Sequence, residues 1–436
     1  MKRPRPQPDR AKPTATKLVQ IEKPIYGGAF LARDEGKAVF VPLVLPGEHA
    51  RVRITEARRS FAIAEVEQIV TAAPERVVPG CKHFGSCGGC NYQHTDYETQ
   101  LALKQAILRE TLERGGVRPP EKIDVLSAEP WRYRNRIRLA FDAAGNPGYR
   151  GRRTHALVPV SECPIASPLL VQAALESAGL ARQDAAFRPA EISLFCNPRE
   201  TELLASAFIT GPAKFAFDDF ARALSERIPA LEGAELVSES RVGQPSRAIA
   251  NWGRTSLSYE VGGFAYRVDH GAFFQVNRWL TDALVERVTA GQEGAIAWDL
   301  FAGVGLFARR LTATFSRVIA VESAPSAAQA LAQNLNGTTG AAVTSETLSF
   351  LRSRTKSERP DLIVVDPPRS GLGPETTALL TGIAAPTLVY VSCDPATLAR
   401  DLRTLIGSGY SMESFTLADL FPQTFHLETV VHLRRS

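Results

Sequence analysis

The stretch Thr387–Pro395, TLVYVSCDP, limits what this chain can fold into more than any other. Leu388, Val389, Tyr390 and Val391 form an unbroken apolar run, the mark of a strand buried on both faces, and Pro395 stops it. Two upstream runs share the design. DLIVVDPPRSG (Asp361–Gly371) ends on Asp366, and AIAWDLFAGVGLF (Ala295–Phe307) carries Asp299 through Gly303-Val304-Gly305 towards a helix. Such strands belong to an open α/β sheet, which binds ligands beyond the carboxyl ends of its strands. The pattern therefore predicts that Asp299, Asp366 and Cys393 converge on one crevice. A thiol at that position points to nucleophilic chemistry.

The surrounding residues narrow the ligand. Glu322 ends the run RVIAVE, 23 residues after Asp299, a spacing that suits hydrogen bonding to a ribose. The third glycine of a dinucleotide fingerprint is missing, because position 308 is Ala308. A cofactor with ribose and adenine but no pyrophosphate, such as S-adenosylmethionine, fits better. In DPPR the two prolines rigidify a strand end and remove amide donors, which suits a loop beneath a planar base. Gln275, in AFFQVN, is either a positioned amide or a helix-capping and packing residue. Glu428 lies in an otherwise apolar strand; buried, its raised pKa would suit proton transfer, whereas an exposed Glu there would be unremarkable. His426, two residues earlier, is read as supporting it on the same face.

With 436 residues, 44% hydrophobic and 22% charged, the chain should form two or three soluble domains. No run is long enough to span a bilayer, and the basic, Pro-rich start lacks an apolar segment, so the cytoplasm is the expected location. Residues 1–14 read as a disordered basic arm. Short β-rich runs from Thr16 to about Val70 predict a small closed OB-like barrel. Arg51, Arg53, Arg58 and Arg59 would suit it to nucleic acid, although a plain packing module reads the same way.

Three of six cysteines cluster as Cys81-x5-Cys87-x2-Cys90. In a cytosolic chain this favours a metal or iron–sulfur site over disulfides. Cys163 is the better fourth ligand, Cys196 reads as a buried thiol, and zinc is the other metal that four cysteines would hold. A capping box of Thr95 and Glu98 opens a helix that Gly115-Gly116 ends. Arg132, Arg134, Arg136 and Arg138 then alternate along a strand beside Trp131, Tyr133 and Tyr149, with Arg150, Arg152 and Arg153 following. Same-sign alternation on one face favours a phosphate-reading strip over a solvated face of mixed sign. Helical runs near Pro168–Gly179 and Lys214–Arg227 carry no recognisable chemistry.

Taken together, the chain resembles the RNA 5-methyluridine (uracil-C5) methyltransferase family, in particular bacterial 23S ribosomal RNA members with a [4Fe-4S] cluster. The resemblance covers nearly the whole chain. It rests on a TRAM-like barrel, the Cys81–His94 motif, YRNR, ECPI, FFQVN, DLFAGVG, DPPRSG, VYVSCDP and FPQTFHLE. It implies Cys393 as nucleophile and Glu428 as general base. It also implies Gln275, Phe301, Glu322 and Asp366 at the methyl donor, and Cys81, Cys87, Cys90 and Cys163 as cluster ligands. Two departures stand out: Asp394 where the family more often has Asn, and Leu306 where a polar residue is frequent. Glu346 is the nearest acidic residue for the adenine.

The expected architecture is an α/β class I (Rossmann-like) methyltransferase domain at 269–436. Ahead of it come a TRAM-like barrel at 15–72 and a central iron–sulfur and RNA-binding α/β domain at 73–268. The expected partner is RNA, 23S ribosomal before transfer RNA, with no membrane and the chain acting as a monomer. The rival readings are the same chemistry on a tRNA uridine, methylation of an exocyclic nitrogen, and a non-catalytic RNA-binding protein.

Overall fold

A computed structural model describes residues 16–210, 215–239, 247–354 and 359–435; the basic arm of residues 1–14 lies outside them. The chain divides into two compact units, one of Met1–Ile107 with Gln423–Phe425, the other of Leu108–Pro422 with His426–Ser436.

The first unit is built on five strands: β1 (Thr16–Pro24), β2 (Ala29–Asp34), β3 (Lys37–Pro42), β4 (His49–Ala57) and β5 (Phe61–Thr71). They close into a barrel in the order β1-β2-β3-β5-β4, as the spacing of short apolar runs predicts. Val19, Ile21, Phe30, Val39, Val41 and Val52 fill it, while Arg51, Arg53, Arg58 and Arg59 are exposed. Glu48 is fully buried and stays ionised because Arg76 pairs with it and the amides of Leu45 and Ala73 donate to it. The next loop carries Cys81, Cys87 and Cys90. Its last part is pinned where the carbonyl of Gln423 accepts from the amides of Asn91 (2.8 Å) and Tyr92 (3.0 Å). Helix α1 (Tyr97–Arg114) follows. Asp96 caps it, accepting from Thr99 N at 2.7 Å; Thr95 instead gives its hydroxyl to the carbonyl of Glu75. The capping box predicted one residue early is thus replaced by an Asx cap.

The second unit contains β6 (Asp124–Leu126), β7 (Arg136–Phe141), β8 (Pro147–Arg150) and β9 (Leu157–Pro159). Then come α2 (Pro168–Gln183), β10 (Glu191–Cys196), β11 (Leu203–Thr210), α3 (Phe217–Arg227), β12 (Leu231–Glu239) and β13 (Arg247–Gly253). Strands β7 to β13 form one sheet in the order β13-β12-β11-β10-β7-β8-β9. One face is apolar: Ile137, Leu139, Ile192, Leu194, Ala205 and Ala207 pack with Leu170, Ala173 and Ala174 of α2 and with Phe220 and Leu224 of α3. The two-residue period of the strands leaves Arg136, Arg138, Ser193 and Ser206 on the other face. The ribbon β14 (Ser256–Val261) and β15 (Phe264–Asp269) leads on to α4 (Thr281–Thr289).

From there strands and helices alternate: β16 (Gly294–Leu300), α5 (Leu306–Leu311), β17 (Phe315–Glu322), α6 (Pro325–Asn334), β18 (Gly340–Thr344) and α7 (Thr347–Arg354). The run ends with β19 (Leu362–Val365), α8 (Gly373–Ile383), β20 (Thr387–Ser392), α9 (Pro395–Gly407), β21 (Tyr410–Ala418) and β22 (Glu428–Arg435). The sheet order is β18-β17-β16-β19-β20-β22-β21-β6. Strands β18 to β20 are parallel, β22 turns antiparallel, and β6 adds a short edge. Leu362–Val365 and Leu388–Val391 are all buried, which is why these runs read as unbroken apolar stretches. Chain order reverses between β16 and β19, so the ligand crevice of such a sheet opens at their carboxyl ends.

Candidate active site

The reversal point brings together the ends of β16, β19, β20 and the start of β22. Register pairs Ser392 with Thr429, and Thr429 Oγ1 donates to the Ser392 carbonyl at 3.1 Å. The next facing positions are Cys393 and Glu428. Cys393 is partly exposed and Glu428 is 5% exposed. Val365 pairs with Tyr390, so Asp366 leaves β19 on the neighbouring row. Burial holds the Glu428 carboxyl well above the usual carboxylate range, and the charge of Asp366 adds to it; burial lifts Asp366 as well. Burial, then Glu428 and then Asp366 push the Cys393 thiol up to about 12, against the pull of Arg369. Burial in the crevice therefore disfavours the charged forms of Cys393, Asp366 and Glu428 alike.

Local sequence fixes this geometry. Asp394 is the N-cap of α9, accepting from the amides of Ala396 (3.0 Å) and Thr397 (2.9 Å), with Pro395 in the first turn. An Asp caps as well as an Asn, so the departure from the family pattern costs nothing at the helix. Tyr390 of β20 donates to Asp401 of α9 at 2.8 Å and locks helix to strand.

Beyond β16, Phe301 sits at φ 65°, in the left-handed region that a bulky residue adopts only under constraint. Both oxygens of Glu322 are held by backbone amides, Gly303 N at 2.9 Å and Ala324 N at 2.7 Å. A Cβ on Gly303 (φ +57°) would meet nothing within 4 Å, so there is open space at the residue whose amide holds the carboxylate. Glu322 and that space fit a nucleoside ligand. Gln275 is buried, and its carbonyl accepts from Asn135 Nδ2 at 2.9 Å. The turn ahead of α4 is held by Asn277, whose Oδ1 accepts from the amides of Trp279 and Leu280. Glu346 is exposed beyond β18.

Some expectations shift. Asp299 does not line the crevice: it is fully buried, accepts from Ala308 N at 2.8 Å, and is pushed up to about 8 by burial and by Asp366 and Glu322. It ties α5 to the sheet from within. His426 precedes β22 rather than sharing its face; it meets Phe421 edge-on and lies 3.4 Å from Arg369. Arg369, inside DPPR but given no role from sequence, is the cation beside Cys393; its place next to the strand-end prolines is the signal that was available. In the arginine strip, Arg136 and Arg138 stand on one face of β7, but Arg132 (φ 53°) precedes the strand.

None of the cysteines is disulfide-bonded. Gly89 N donates to Cys87 Sγ at 3.4 Å, the kind of amide support that a metal-bound sulfur receives. The thiol chemistry suits iron or zinc, yet among the described residues no three His, Cys, Asp or Glu side chains are gathered to hold a metal ion. Cys196 is fully buried, with burial pushing its thiol up to about 11, as expected of a packing residue.

Comparison with known proteins identifies the family. Residues 250–436 match the tRNA (uracil-5-)-methyltransferase family and residues 10–66 the TRAM domain. An uncharacterized RNA methyltransferase of Thermotoga maritima is 30% identical, over 95% of this chain and 98% of its own length. The 23S rRNA (uracil(1939)-C(5))-methyltransferase RlmD of Chromohalobacter salexigens is 32% identical, over 96% of this chain and 89% of its own. The tRNA (uracil-54, C5)-methyltransferase of Pyrococcus abyssi, solved with S-adenosyl-L-homocysteine, shares the fold. Its TM-score is 0.76 at 22% identity, over 96% of this chain and all of that one. The chain is an S-adenosylmethionine-dependent RNA (uracil-C5) methyltransferase and belongs to that family.

Proposed function

We propose that this enzyme methylates C5 of one uridine of 23S ribosomal RNA, that which its relatives' name numbers 1939, through a covalent bond between Cys393 and uracil C6. The observation that carries the reading is the facing pair Cys393 and Glu428 at the ends of β20 and β22, beside the crevice of the sheet. Bound S-adenosylmethionine supplies the methyl group on a cationic sulfur. Uracil C5 is a poor carbon nucleophile. Cys393 gives up its thiol proton to solvent and its sulfur adds to C6; the C5=C6 electron pair moves towards C5 and O4, and the enolate-like C5 takes the methyl as the methyl–sulfur bond breaks and S-adenosylhomocysteine is left. Glu428, as its carboxylate, then accepts the C5 proton; the C5–H pair re-forms C5=C6 and the C6–S bond breaks, returning Cys393 as the thiolate. In the ligand-free crevice Cys393 is protonated, so the thiol is activated only when the site is assembled. Gripping uracil from both faces requires the base to leave the RNA stack.

Gln275, Phe301, Glu322 and Asp366 are the residues we assign to the cofactor, with Glu322 suited to the ribose. We assign Cys81, Cys87, Cys90 and Cys163 to a [4Fe-4S] cluster, as an ordering element for RNA binding rather than an electron carrier. Among the described residues no helix is long and apolar enough to cross a membrane. An RNA substrate and reduced thiols fit the cytoplasm, and we read the chain as acting as a monomer.

The test is transfer of labelled methyl from S-adenosylmethionine to 23S ribosomal RNA and to tRNA transcripts, with nuclease digestion and mass mapping of the product. The expected result is one 5-methyluridine in the ribosomal RNA. A product on tRNA alone would move the substrate, and a methyl group on an exocyclic nitrogen would overturn the chemistry.

A further inference from the structure

The open face of the central sheet carries a cleft of about 520 Å³ that the methyl-transfer chemistry does not use. Its size falls within the range of about 300–1,000 Å³ typical of small-ligand pockets. Strands β7, β10 and β11 form its floor and the segment from His270 to Val276 one wall. Two guanidinium groups stand over phenyl rings inside it, Arg136 over Phe195 at 4.2 Å and Arg138 over Phe208 at 3.9 Å, with Arg138 also paired to Glu191 at 2.6 Å. Arg136 donates to the carbonyl of Ala272 at 2.7 Å, but its Nε, like that of Arg134, is buried with no hydrogen-bond partner. At the floor Ser206 Oγ donates to Glu235 Oε1 at 2.7 Å and lies 3.3 Å from His270 Nδ1. Burial pushes His270 down to about 4, so the ring is neutral, and lifts Glu235, whose charge Arg136 partly offsets.

A cleft that only filled space would be apolar or would pair its donors. This one leaves the buried Nε donors of Arg134 and Arg136 unused, sets the guanidinium groups of Arg136 and Arg138 over phenyl rings, and ends on a compact set of donors and acceptors. Flat surfaces with guanidinium edges fit a nucleobase and its phosphate; no lipid or peptide needs both. The wall also ties the cleft to the catalytic centre. Val276 lines it, and the adjacent Gln275, assigned above to the cofactor, is held through its carbonyl by Asn135.

We propose that this cleft is a second nucleotide pocket, which takes an unstacked base close in sequence to the target uridine and so sets which uridine reaches Cys393. The proposal rests on the RNA uracil-C5 reading, and its test measures binding rather than methyl transfer.

Affinity would be measured, with S-adenosylhomocysteine present, for a 23S ribosomal RNA hairpin spanning the target uridine and for a series in which each flanking nucleotide in turn is made abasic. For the wild-type protein one flanking abasic position should weaken binding about 10-fold, the size expected when one stacked base is lost. Ser193→Phe, which fills the cleft, should bind the intact hairpin about as weakly and lose nothing further at that position, with cofactor affinity unchanged. If Ser193→Phe also loses the cofactor and so has misfolded, Phe208→Ala decides by the same readout. Wild-type binding indifferent to every flanking abasic site, or an abasic penalty undiminished in the folded variant, would overturn the pocket. Failure of the wild-type protein to bind either this hairpin or tRNA would instead overturn the RNA reading beneath it.

Discussion

Cys393 and Cys87 are both partly exposed thiols, but their surroundings have little in common. Cys393 ends a fully buried strand, faces Glu428 by register, and has a capped helix starting directly after it. Cys87 sits in a turn-rich loop, where the amide of Gly89 donates to its sulfur and the amide of Asn91 further on donates to the carbonyl of Gln423. The crevice is framed by strand pairing and by the capped helix that follows Cys393. The cysteine loop has the right donors without the gathered geometry, so its order would depend on what it binds. The strand-end site should thus respond to substitution in its chemistry, the loop in folding and RNA affinity.

The largest contrast is expected at the nucleophile. Cys393→Ala should cost about 10⁴-fold or more in kcat while leaving cofactor affinity within about twofold, checked by single-turnover methylation and calorimetry. Retained turnover would put this thiol on the same footing as the others. Next, Glu428→Gln should lower kcat by about 10²- to 10⁴-fold and let a methylated Cys393–RNA adduct accumulate, because the final proton has no acceptor. An adduct-free loss of activity would assign Glu428 to positioning instead.

The thiols should also differ in pH response. With Cys393 pushed up to about 12, its thiolate is scarce at neutral pH. Alkylation of ligand-free enzyme at Cys393 should therefore rise about tenfold per pH unit from pH 7 through pH 10 without levelling. A plateau below pH 9, followed by peptide mapping, would contradict the raised thiol. Cys87→Ser should act differently, raising KM for RNA about tenfold with kcat little changed, as expected for lost uniform binding. An equal drop in kcat would tie the loop to the chemistry. The smallest effect is expected at Asp394→Ala, which removes a helix cap and should cost about 1 kcal/mol of stability by denaturant unfolding; Asp394→Asn should restore it.

Much of the crevice was legible in the sequence because it depends on short-range order. An apolar run ending in a polar residue names both the strand and its carboxyl end, so Asp366, Cys393 and Glu322 could be placed from local pattern. The barrel was legible for the same reason. What escaped needs a third dimension. Asp299 ends an equally apolar run, yet its side chain turns inward to hold Ala308, and nothing in the local pattern separates those directions. Thr95 lost its cap role to Asp96 because the carbonyl of Glu75, about twenty residues away, claims its hydroxyl. Ser206, Glu235 and His270 come from three separate elements and carry no shared motif, so their cleft appears only once β11 and β12 are paired.

The central claim is that the thiol of Cys393 bonds to uracil C6. Its most direct test is intact-mass analysis of the enzyme incubated with S-adenosylmethionine and 5-fluorouridine-substituted 23S ribosomal RNA. Fluorine does not leave C5 as a proton does, so the account predicts a stable methylated protein–RNA adduct that digestion maps to Cys393. Bound RNA and cofactor with no adduct, or an adduct on a different residue, would contradict it.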